Sequence, residues 1–230
     1  MEARVANGHR PRPAKQSRSQ ATRDRLLQAG QHLIEAHGYD ATAIQDIATR
    51  AGCSIGAFYH HFATKEAFYV ALLQRSVAEV REALRTRLGG TRYVGRPRQE
   101  VVRAAVDFVT QAFRTHQGLV RAVLKKAMDD PNAWNPIREL GGEITEQVTA
   151  LLVPAPDEDT TGSRFAVAVA MQVIYSTLLN AVINRPSPLL LEDRAIALQL
   201  THIAVRYLEA PLPVETTAKG ATTPTSSRRQ

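Results

Sequence analysis

The chain has 230 residues, of which 44% are hydrophobic, and a formal net charge of +7. A chain of this length buries enough surface to fold without disulfides. Its single cysteine, Cys53, excludes an intramolecular disulfide, a zinc site built from several cysteines and a CxxC redox pair. The basic N-terminal segment is not followed by an apolar stretch, which argues against a secretory signal. We therefore expect a cytoplasmic protein of one or two domains.

The positive charge lies at the two ends of the chain. Residues 1–25 carry seven Lys and Arg against two Asp and Glu, and residues 211–230 carry three against one, so the residues between them are neutral overall. Large apolar residues are scarce at both ends, which predicts a disordered basic arm over residues 1–19 and a disordered tail over residues 211–230. A basic arm beside a folded domain is typical of nucleic-acid binding, but a merely solvated tail has the same composition.

Between the two ends, apolar residues recur at helical spacing without strand-like alternation, which predicts an all-α fold of about nine helices. The first predicted helix runs from Thr22 to His37. The second begins at Thr42, which is expected to form a capping box with Gln45, and ends at Gly52. The later helices are predicted in this order: one capped by Ser54 that ends at Phe62, one capped by Thr64 that ends near Leu88, Gln99–Thr115, Leu119–Met128, Ile137–Leu152 with an interruption at Gly141-Gly142, Arg164–Asn184 and Glu192–Leu208.

One predicted helix is unusually apolar. Residues 165–183 contain no charged residue and approach the length that spans a bilayer. Polar residues interrupt this stretch, no aromatic residues flank both of its ends, and a membrane location would leave the amphipathic helix after it without a partner. We therefore expect a helix buried in the core or in a subunit interface, and no membrane partner.

The segment from Thr42 to Phe68, TAIQDIATRAGCSIGAFYHHFATKEAF, predicts two helices joined by a short turn at Gly52. Such a pair is typical of a helix-turn-helix unit whose second helix enters the major groove of DNA. Phe58 and Phe62 are four residues apart and are expected to point inward. The residues expected on the opposite side of the second helix are Gly56, Tyr59 and His60.

This segment resembles the DNA-binding domain of TetR/AcrR-type transcriptional regulators. Cys53 stands where that family usually has Val, and Ile55 stands at a position that is often basic or polar in relatives. The resemblance implies a DNA-binding domain over residues 20–80 and a helical ligand-binding and dimerisation domain over residues 81–210. It rests on residues at fixed spacing: Arg23, Leu26, Leu27, Gly38, Tyr39, Thr42, Asp46-Ile47-Ala48, Ala51-Gly52-Cys53-Ser54, Gly56, Tyr59, His61-Phe62 and Lys65-Glu66.

The resemblance and the helix-turn-helix geometry together assign roles in DNA binding. Tyr59 and Lys65 are expected to contact phosphate, and Thr42 and Thr64 either contact phosphate or only cap helices. Arg18 is expected, with Arg23, to contact a flanking phosphate or the minor groove. The residues expected to contact base edges are Ile55, Gly56, Ala57 and His60.

By the same resemblance, the central helices enclose a ligand cavity and the last two long helices form a four-helix dimer interface. Each candidate for the cavity lining is also an ordinary core residue by composition. The candidates are Phe108, Phe113, Met128, Trp134, Met171 and Tyr175. The stripe expected to face the dimer partner on the last helix is Ile196, Leu200, Ile203, Ala204 and Tyr207.

The sequence contains no nucleophile–base pair, glycine-rich phosphate loop or HExxH motif, so we expect neither an enzyme nor a cofactor. His60 and His61 lack further ligands at metal-binding spacing. The expected function is a homodimeric transcription regulator, and more specifically a repressor that a small-molecule effector releases from a palindromic DNA operator. The alternatives are a transcriptional activator, a constitutive DNA-binding protein whose C-terminal helices only dimerise, and a helical enzyme with an appended helix-turn-helix.

Overall fold

The computed structural model describes residues 13–153, 161–185 and 188–210. Within these ranges it contains nine α-helices, one 3₁₀ turn and no strand, which confirms the predicted all-α fold. The 3₁₀ turn, Pro131–Trp134, lies between α6 and α7. The helices are α1 (Pro13–His37), α2 (Ile44–Arg50), α3 (Ile55–His61), α4 (Lys65–Arg87), α5 (Arg98–Thr115), α6 (Gln117–Asp129), α7 (Asn135–Leu152), α8 (Thr161–Asn184) and α9 (Arg194–Glu209).

Helix α1 begins at Pro13, so the predicted start at Thr22 is wrong and residues 13–19 of the predicted arm are helical. Lys, Gln, Arg and Ala in this stretch have high helix propensity. The Thr22 hydroxyl donates to the Arg18 carbonyl at 3.0 Å, as a threonine inside a helix does. The rest of the two predicted tails, residues 1–12 and 211–230, lies outside the described residues.

Helix α7 runs through Gly141 and Gly142, where the sequence predicts an interruption. Leu140, Ile144 and Val148 bury one face of this helix, and that packing outweighs the weak helix propensity of glycine. Each of the five later helices also begins one to three residues from its predicted start: α5 at Arg98, α6 at Gln117, α7 at Asn135, α8 at Thr161 and α9 at Arg194.

Two of the three predicted helix caps are confirmed. The hydroxyl of Ser54 accepts the Ala57 N–H at 3.1 Å, and that of Thr64 accepts the Ala67 N–H at 2.9 Å. The capping box at Thr42 is wrong: the residue that precedes α2 is Ala43, which makes no side-chain cap. The Thr42 hydroxyl instead donates to the Gly38 carbonyl at 2.8 Å, because the chain folds back on the end of α1.

Helices α1 to α4 form the N-terminal unit. Within it α1 packs against α2, α3 and α4. The short helices α2 and α3 have seven residues each, so neither is stable without neighbours. The large apolar side chains that fill this core are Leu26, Leu27, Ile47, Phe58, Phe62 and Phe68.

Helices α5 to α9 form the C-terminal unit, in which α5 packs against α7, α8 and α9. Ile196, Leu200 and Ala204 of α9 are buried within the same subunit. These three residues therefore do not form the exposed stripe that the sequence predicts for a dimer partner. The large apolar residues that α9 does expose are Leu198 and Ile203.

Helix α8 is long and apolar enough to cross a membrane by length and composition alone. However, 44% of its most apolar window is buried inside the subunit. Core helices of water-soluble proteins pass the same test, so this property is weak evidence for a membrane.

Replacing Phe58 with Ala is expected to lower the free energy of unfolding by about 3–5 kcal/mol, because the side chain is fully buried between α1 and α4. Ile55→Ala is the control on the same helix. Ile55 is 40% exposed, so its truncation is expected to cost about 0.5 kcal/mol or less. Urea unfolding followed by circular dichroism at one protein concentration compares the two variants, and equal losses contradict the core position of Phe58.

Candidate DNA interface and ligand cavity

The turn between α2 and α3 depends on Gly52. Its φ of +64° lies in the left-handed region, which residues with a Cβ rarely adopt. The Gly52 N–H donates to the Thr49 carbonyl at 3.1 Å, and the Cys53 N–H donates to the Ala48 carbonyl at 3.0 Å. These bonds satisfy the end of α2 and direct the chain into α3 within four residues. Cys53 is half-buried and packs against the core.

Helix α3 has one buried and one exposed side, as the sequence predicts. Phe58 and Phe62 are buried, and Ala57 is half-buried with its N–H bound to the cap. Ile55 is 40% exposed and Tyr59 is 52% exposed. Four of the predicted DNA-contact residues therefore share one exposed surface, which we call the recognition surface: Ile55, Gly56, Tyr59 and His60.

The two predicted threonine contacts differ in exposure. Thr64 is exposed at the start of α4, next to Lys65. Thr42 is only 2% exposed and its hydroxyl is bound to the Gly38 carbonyl. The geometry gives Thr42 a structural role in the α1–α2 connection.

Lys65 is held against the end of α1. Its ammonium group lies 4.5 Å from the centroid of the Tyr39 ring and donates to the Asp40 carbonyl at 3.3 Å. The Tyr39 hydroxyl donates to Glu66 at 3.1 Å. Burial is the main cause that raises the pKa of Tyr39, and the negative charge of Glu66 raises it further. Lys65 is thus half-buried and held in place at the N-terminus of α4, next in sequence to the exposed Thr64.

One basic side chain of α1, that of Arg23, lies near the end of α3. The Arg23 guanidinium lies 5.5 Å from the centroid of the Phe62 ring, and Arg18 is exposed one turn and a half earlier. Burial, and then the charges of His60 and Arg23, lower the pKa of His61. His61 is therefore neutral at physiological pH and adds no charge next to the recognition surface.

A cavity of about 430 Å³ lies between α4, α5, α6, α7 and α8. Of the six predicted lining residues, Phe113, Trp134 and Tyr175 line it. The other three do not. Phe108 and Met171 are buried in the core away from the cavity, and Met128 is 86% exposed on the surface of α6. Helical spacing alone does not distinguish these positions, because all three residue types are typical of a core.

The cavity wall is mostly aliphatic, with a few polar groups that sequence reasoning missed. His116, whose pKa is lowered by burial, lines it together with Arg138 and Ser76. The Ser76 hydroxyl is buried and has no hydrogen-bond partner in the part of the chain that the structure describes. Ser76 lies at helical spacing from the apolar residues Leu72, Leu73 and Val80 of α4, and this position was the available sequence signal, because a buried hydroxyl requires a partner.

Polar groups of α7 and α8 that line the cavity are bonded to each other. The Tyr175 hydroxyl donates to the Gly141 carbonyl at 3.0 Å and lies 3.3 Å from the Thr145 hydroxyl. Burial raises the pKa of Tyr175 to about 12, so its phenol is neutral. None of the described residues that line the cavity is Asp or Glu. The wall therefore suits an apolar molecule that is uncharged or anionic.

The glutamates of α7 form surface ion pairs. Glu143 accepts two bonds of 2.6 Å from Arg81 of α4, and Glu146 pairs with Arg164 of α8 at 2.7 Å. Within the described ranges, no three His, Cys, Asp or Glu side chains are grouped as metal ligands would be. The glutamates thus join α7 to its neighbours.

Comparison with known proteins agrees with this geometry. The family model "Bacterial regulatory proteins, tetR family" matches residues 26–72, and "Tetracyclin repressor-like, C-terminal domain" matches residues 97–208. The two matches together span more than two-thirds of the chain. A crystal structure of a transcriptional regulator from Rhodococcus sp. Rha1 has the same fold, with a TM-score of 0.62, 20% identity, and coverage of 81% of this chain and 95% of that chain.

Three curated relatives are HTH-type transcriptional regulators. YerO of Bacillus subtilis is 28% identical over 44% of this chain and 35% of its own length, and UidR of Escherichia coli is 27% identical over 58% of this chain and 65% of its own. FasR of Mycolicibacterium smegmatis, named an activator, is 43% identical over 28% of this chain and 31% of its own. The matches therefore span less than two-thirds of each relative. With the two domain matches and the shared fold, they show that the chain belongs to the tetR family of DNA-binding transcriptional regulators.

Proposed function

We propose that the protein binds a palindromic DNA operator as a homodimer and that a small apolar effector in the cavity releases it, so that it acts as a repressor. The recognition surface of α3 carries the first part of this proposal, because Phe58 and Phe62 anchor the helix while its opposite side is exposed. The cavity of about 430 Å³ supports the second part.

The proposed DNA contacts divide by chemistry. Tyr59, Thr64 and Lys65 are suited to phosphate, since they combine a phenol, a hydroxyl and an ammonium group at the exposed edge of α3 and the start of α4. Base edges are left to Ile55, which suits a thymine methyl, and to His60, which offers a ring nitrogen. Gly56 and Ala57 permit close approach of the backbone. We leave Thr42 out of the interface because its hydroxyl is buried.

Selection of bound duplexes from a random DNA pool tests DNA recognition directly. A helix of this size contacts only a few base pairs, so two-fold symmetric binding is expected to yield an inverted repeat. Its half-sites should lie about 34–36 Å apart, or at a multiple of that spacing. The absence of any enriched sequence contradicts sequence-specific binding.

Substitutions at the phosphate contacts are expected to weaken binding to every duplex. Lys65→Ala should also reduce the slope of log affinity against log salt by about 1 per bound protomer, because one fewer counterion is displaced. Tyr59→Ala should lower affinity with little change of slope, since a phenol carries no charge. Gel-shift titrations over a range of salt concentrations measure both effects.

Substitutions at the base-edge positions are expected to change preference rather than overall affinity. Ile55→Ala or His60→Ala should reduce the penalty for one base change, which is about 1–3 kcal/mol for a specific contact.

The phosphate-contact variants have matched controls in the loop between α4 and α5. Arg92→Ala removes one charge, as Lys65→Ala does, and Tyr93→Ala removes one aromatic ring, as Tyr59→Ala does. Unchanged operator affinity in Tyr59→Ala contradicts the proposed interface.

Dimerisation through α8 and α9 is supported by apolar residues left exposed on these two helices. Where these helices border the groove between them, Val173 is 45% exposed and Ile203 is 48% exposed. A groove between the two helices is lined by Val169, Val173, Ile203 and Tyr207, among other apolar residues. A cluster of this kind on a water-soluble protein is typical of a subunit interface.

Ile203→Arg is expected to convert the dimer to monomer at micromolar concentration, because a two-fold interface buries the unpaired charge twice. Sedimentation velocity measures the change. Met128→Arg is the control, since Met128 is 86% exposed on α6, away from these helices. An Ile203→Arg protein that remains as dimeric as the Met128→Arg protein contradicts this interface.

The effector is expected to be mostly hydrocarbon and uncharged or anionic, because the described lining residues include no acid to balance a cation. Dodecanol and dodecanoate should therefore raise the melting temperature and change Trp134 fluorescence more than dodecylammonium does. Ala112→Phe, which fills the cavity from α5, should abolish these effects, whereas Ala150→Phe on the exposed side of α7 should not.

Release requires the effector to bind the DNA-free state more tightly than the DNA-bound state. A probe that binds the cavity and leaves operator affinity unchanged contradicts release. That outcome supports the constitutive alternative. The presence of a cavity argues against that alternative, because a C-terminal unit that only dimerises is expected to have a filled core. Activation is the other alternative, since the relative FasR is named an activator. The position of the operator relative to the promoter distinguishes activation from repression.

A further inference from the structure

Helix α6 lies between the cavity and the DNA-binding helices. Leu119 and Val120 line the cavity from the first turn of α6. The same turn meets α1: the Glu35 carboxylate accepts the Gly118 N–H with one oxygen and the Leu119 N–H, at 3.3 Å, with the other. One turn of helix is therefore in contact with both the cavity and α1.

The cap on α6 comes from a distant part of the chain. Helices α3 and α4 are capped by Ser54 and Thr64, each of which immediately precedes its helix. His116, which precedes α6, makes no side-chain cap. A carboxylate with two acceptor oxygens is well suited to this end, where unpaired N–H groups carry partial positive charge. Capping by Glu35 therefore joins α1 to α6 rather than only terminating a helix.

Gly118 allows the two helices to come this close. A Cβ atom on Gly118 would lie 2.5 Å from the Ile34 carbonyl oxygen and 2.7 Å from the Glu35 Cα. Both of these atoms belong to the backbone of α1, which has no side-chain freedom to move aside. Alanine at this position therefore separates α6 from α1 even though Glu35 is unchanged.

Further contacts hold α6 in the same place. The His116 ring, which lines the cavity, lies 3.4 Å from the Gln31 amide of α1. At the other end of α6, the Lys126 ammonium pairs with Glu66 at 2.7 Å and lies 4.9 Å from the centroid of the Tyr39 ring. Both ends of α6 are thus attached to the DNA-binding unit, while its middle is attached to the C-terminal unit through Arg121, which donates to the Val182 carbonyl at 3.1 Å.

We propose that Glu35 is a positioning residue that couples the cavity to the recognition helices, through the junction formed by Glu35, Gly118 and Leu119. A shift of the first turn of α6, caused by a molecule against Leu119 or His116, moves α1 because the carboxylate binds the turn at two points. Displacement of α1 moves α3, which packs on it. This inference rests on the proposed function, since it concerns how the cavity affects DNA binding.

The coupling is testable without the effector, because Trp134 is the only tryptophan in the chain and lines the cavity. Coupling between two sites is reciprocal, so DNA binding must alter the environment of the cavity. We expect the selected operator duplex to change the emission or acrylamide quenching of Trp134 in the wild-type dimer. Emission is measured at saturating duplex, so that variants with different affinities are compared in the same bound state.

Glu35→Ala and Gly118→Ala break the junction from its two sides. Each is expected to reduce the DNA-induced change of Trp134 to less than half of the wild-type value while the variant still binds the duplex. Glu35→Gln keeps one acceptor oxygen and should give an intermediate response. Glu82→Ala, an exposed glutamate of α4 paired only with Arg85 in the described structure, is the control and should respond as wild type does.

The outcomes separate this inference from the proposed function. Failure of the wild-type protein to bind any selected duplex contradicts DNA recognition itself. A wild-type protein that binds DNA without a change at Trp134 overturns the junction alone. The junction is also overturned by two separate variants, Glu35→Gln and Gly118→Ala, that both fold and both respond as fully as the wild type. A melting temperature lowered in Glu35→Ala with the Trp134 response intact identifies a purely structural cap and overturns the inference as well.

Discussion

Helix α3 has seven residues, so packing against its neighbours must hold it in the position that DNA recognition requires. Three phenylalanine rings supply that packing. The centroid of Phe58 lies 5.5 Å from that of Phe62 and 5.4 Å from that of Phe68, and Phe62 and Phe68 meet edge to face at 5.1 Å. Aromatic contacts of this geometry add to the burial of large apolar area. They attach α3 to α4 and leave its opposite side, with Tyr59, free for a partner.

Side chains that bond to the ends of other helices fix the relative orientation of several helices in this protein. Helix termini leave backbone N–H and carbonyl groups without partners, so a side chain from another helix that satisfies them fixes two elements at once. Glu35 does this at the start of α6, and Arg121 does it near the end of α8. Arg98 of α5 donates to the Leu208 carbonyl of α9 at 2.6 Å. These bonds are directional, unlike apolar contacts, and therefore fix the relative orientation of the helices.

Charge and specificity have different locations in this protein. The net charge of +7 comes from the ends of the chain, and it favours DNA without regard to its sequence. The recognition surface carries little charge, because its residues are apolar, aromatic or, at His60, weakly basic. The ion pairs between helices, such as Arg81–Glu143 and Lys126–Glu66, are partly exposed and contribute modestly to stability. Sequence preference is therefore expected to depend on shape and on contacts to base edges.

The amino-acid sequence by itself determined the all-α fold, the helix-turn-helix and the inward direction of Phe58 and Phe62. These features depend on helical periodicity and turn chemistry, which act over a few residues. Only the tertiary structure decided that Phe113 lines the cavity while Met128 is exposed. It also decided the contact between Glu35 and Gly118, which are 83 residues apart. Such pairs depend on how complete helices pack, and packing involves groups that no local pattern brings together.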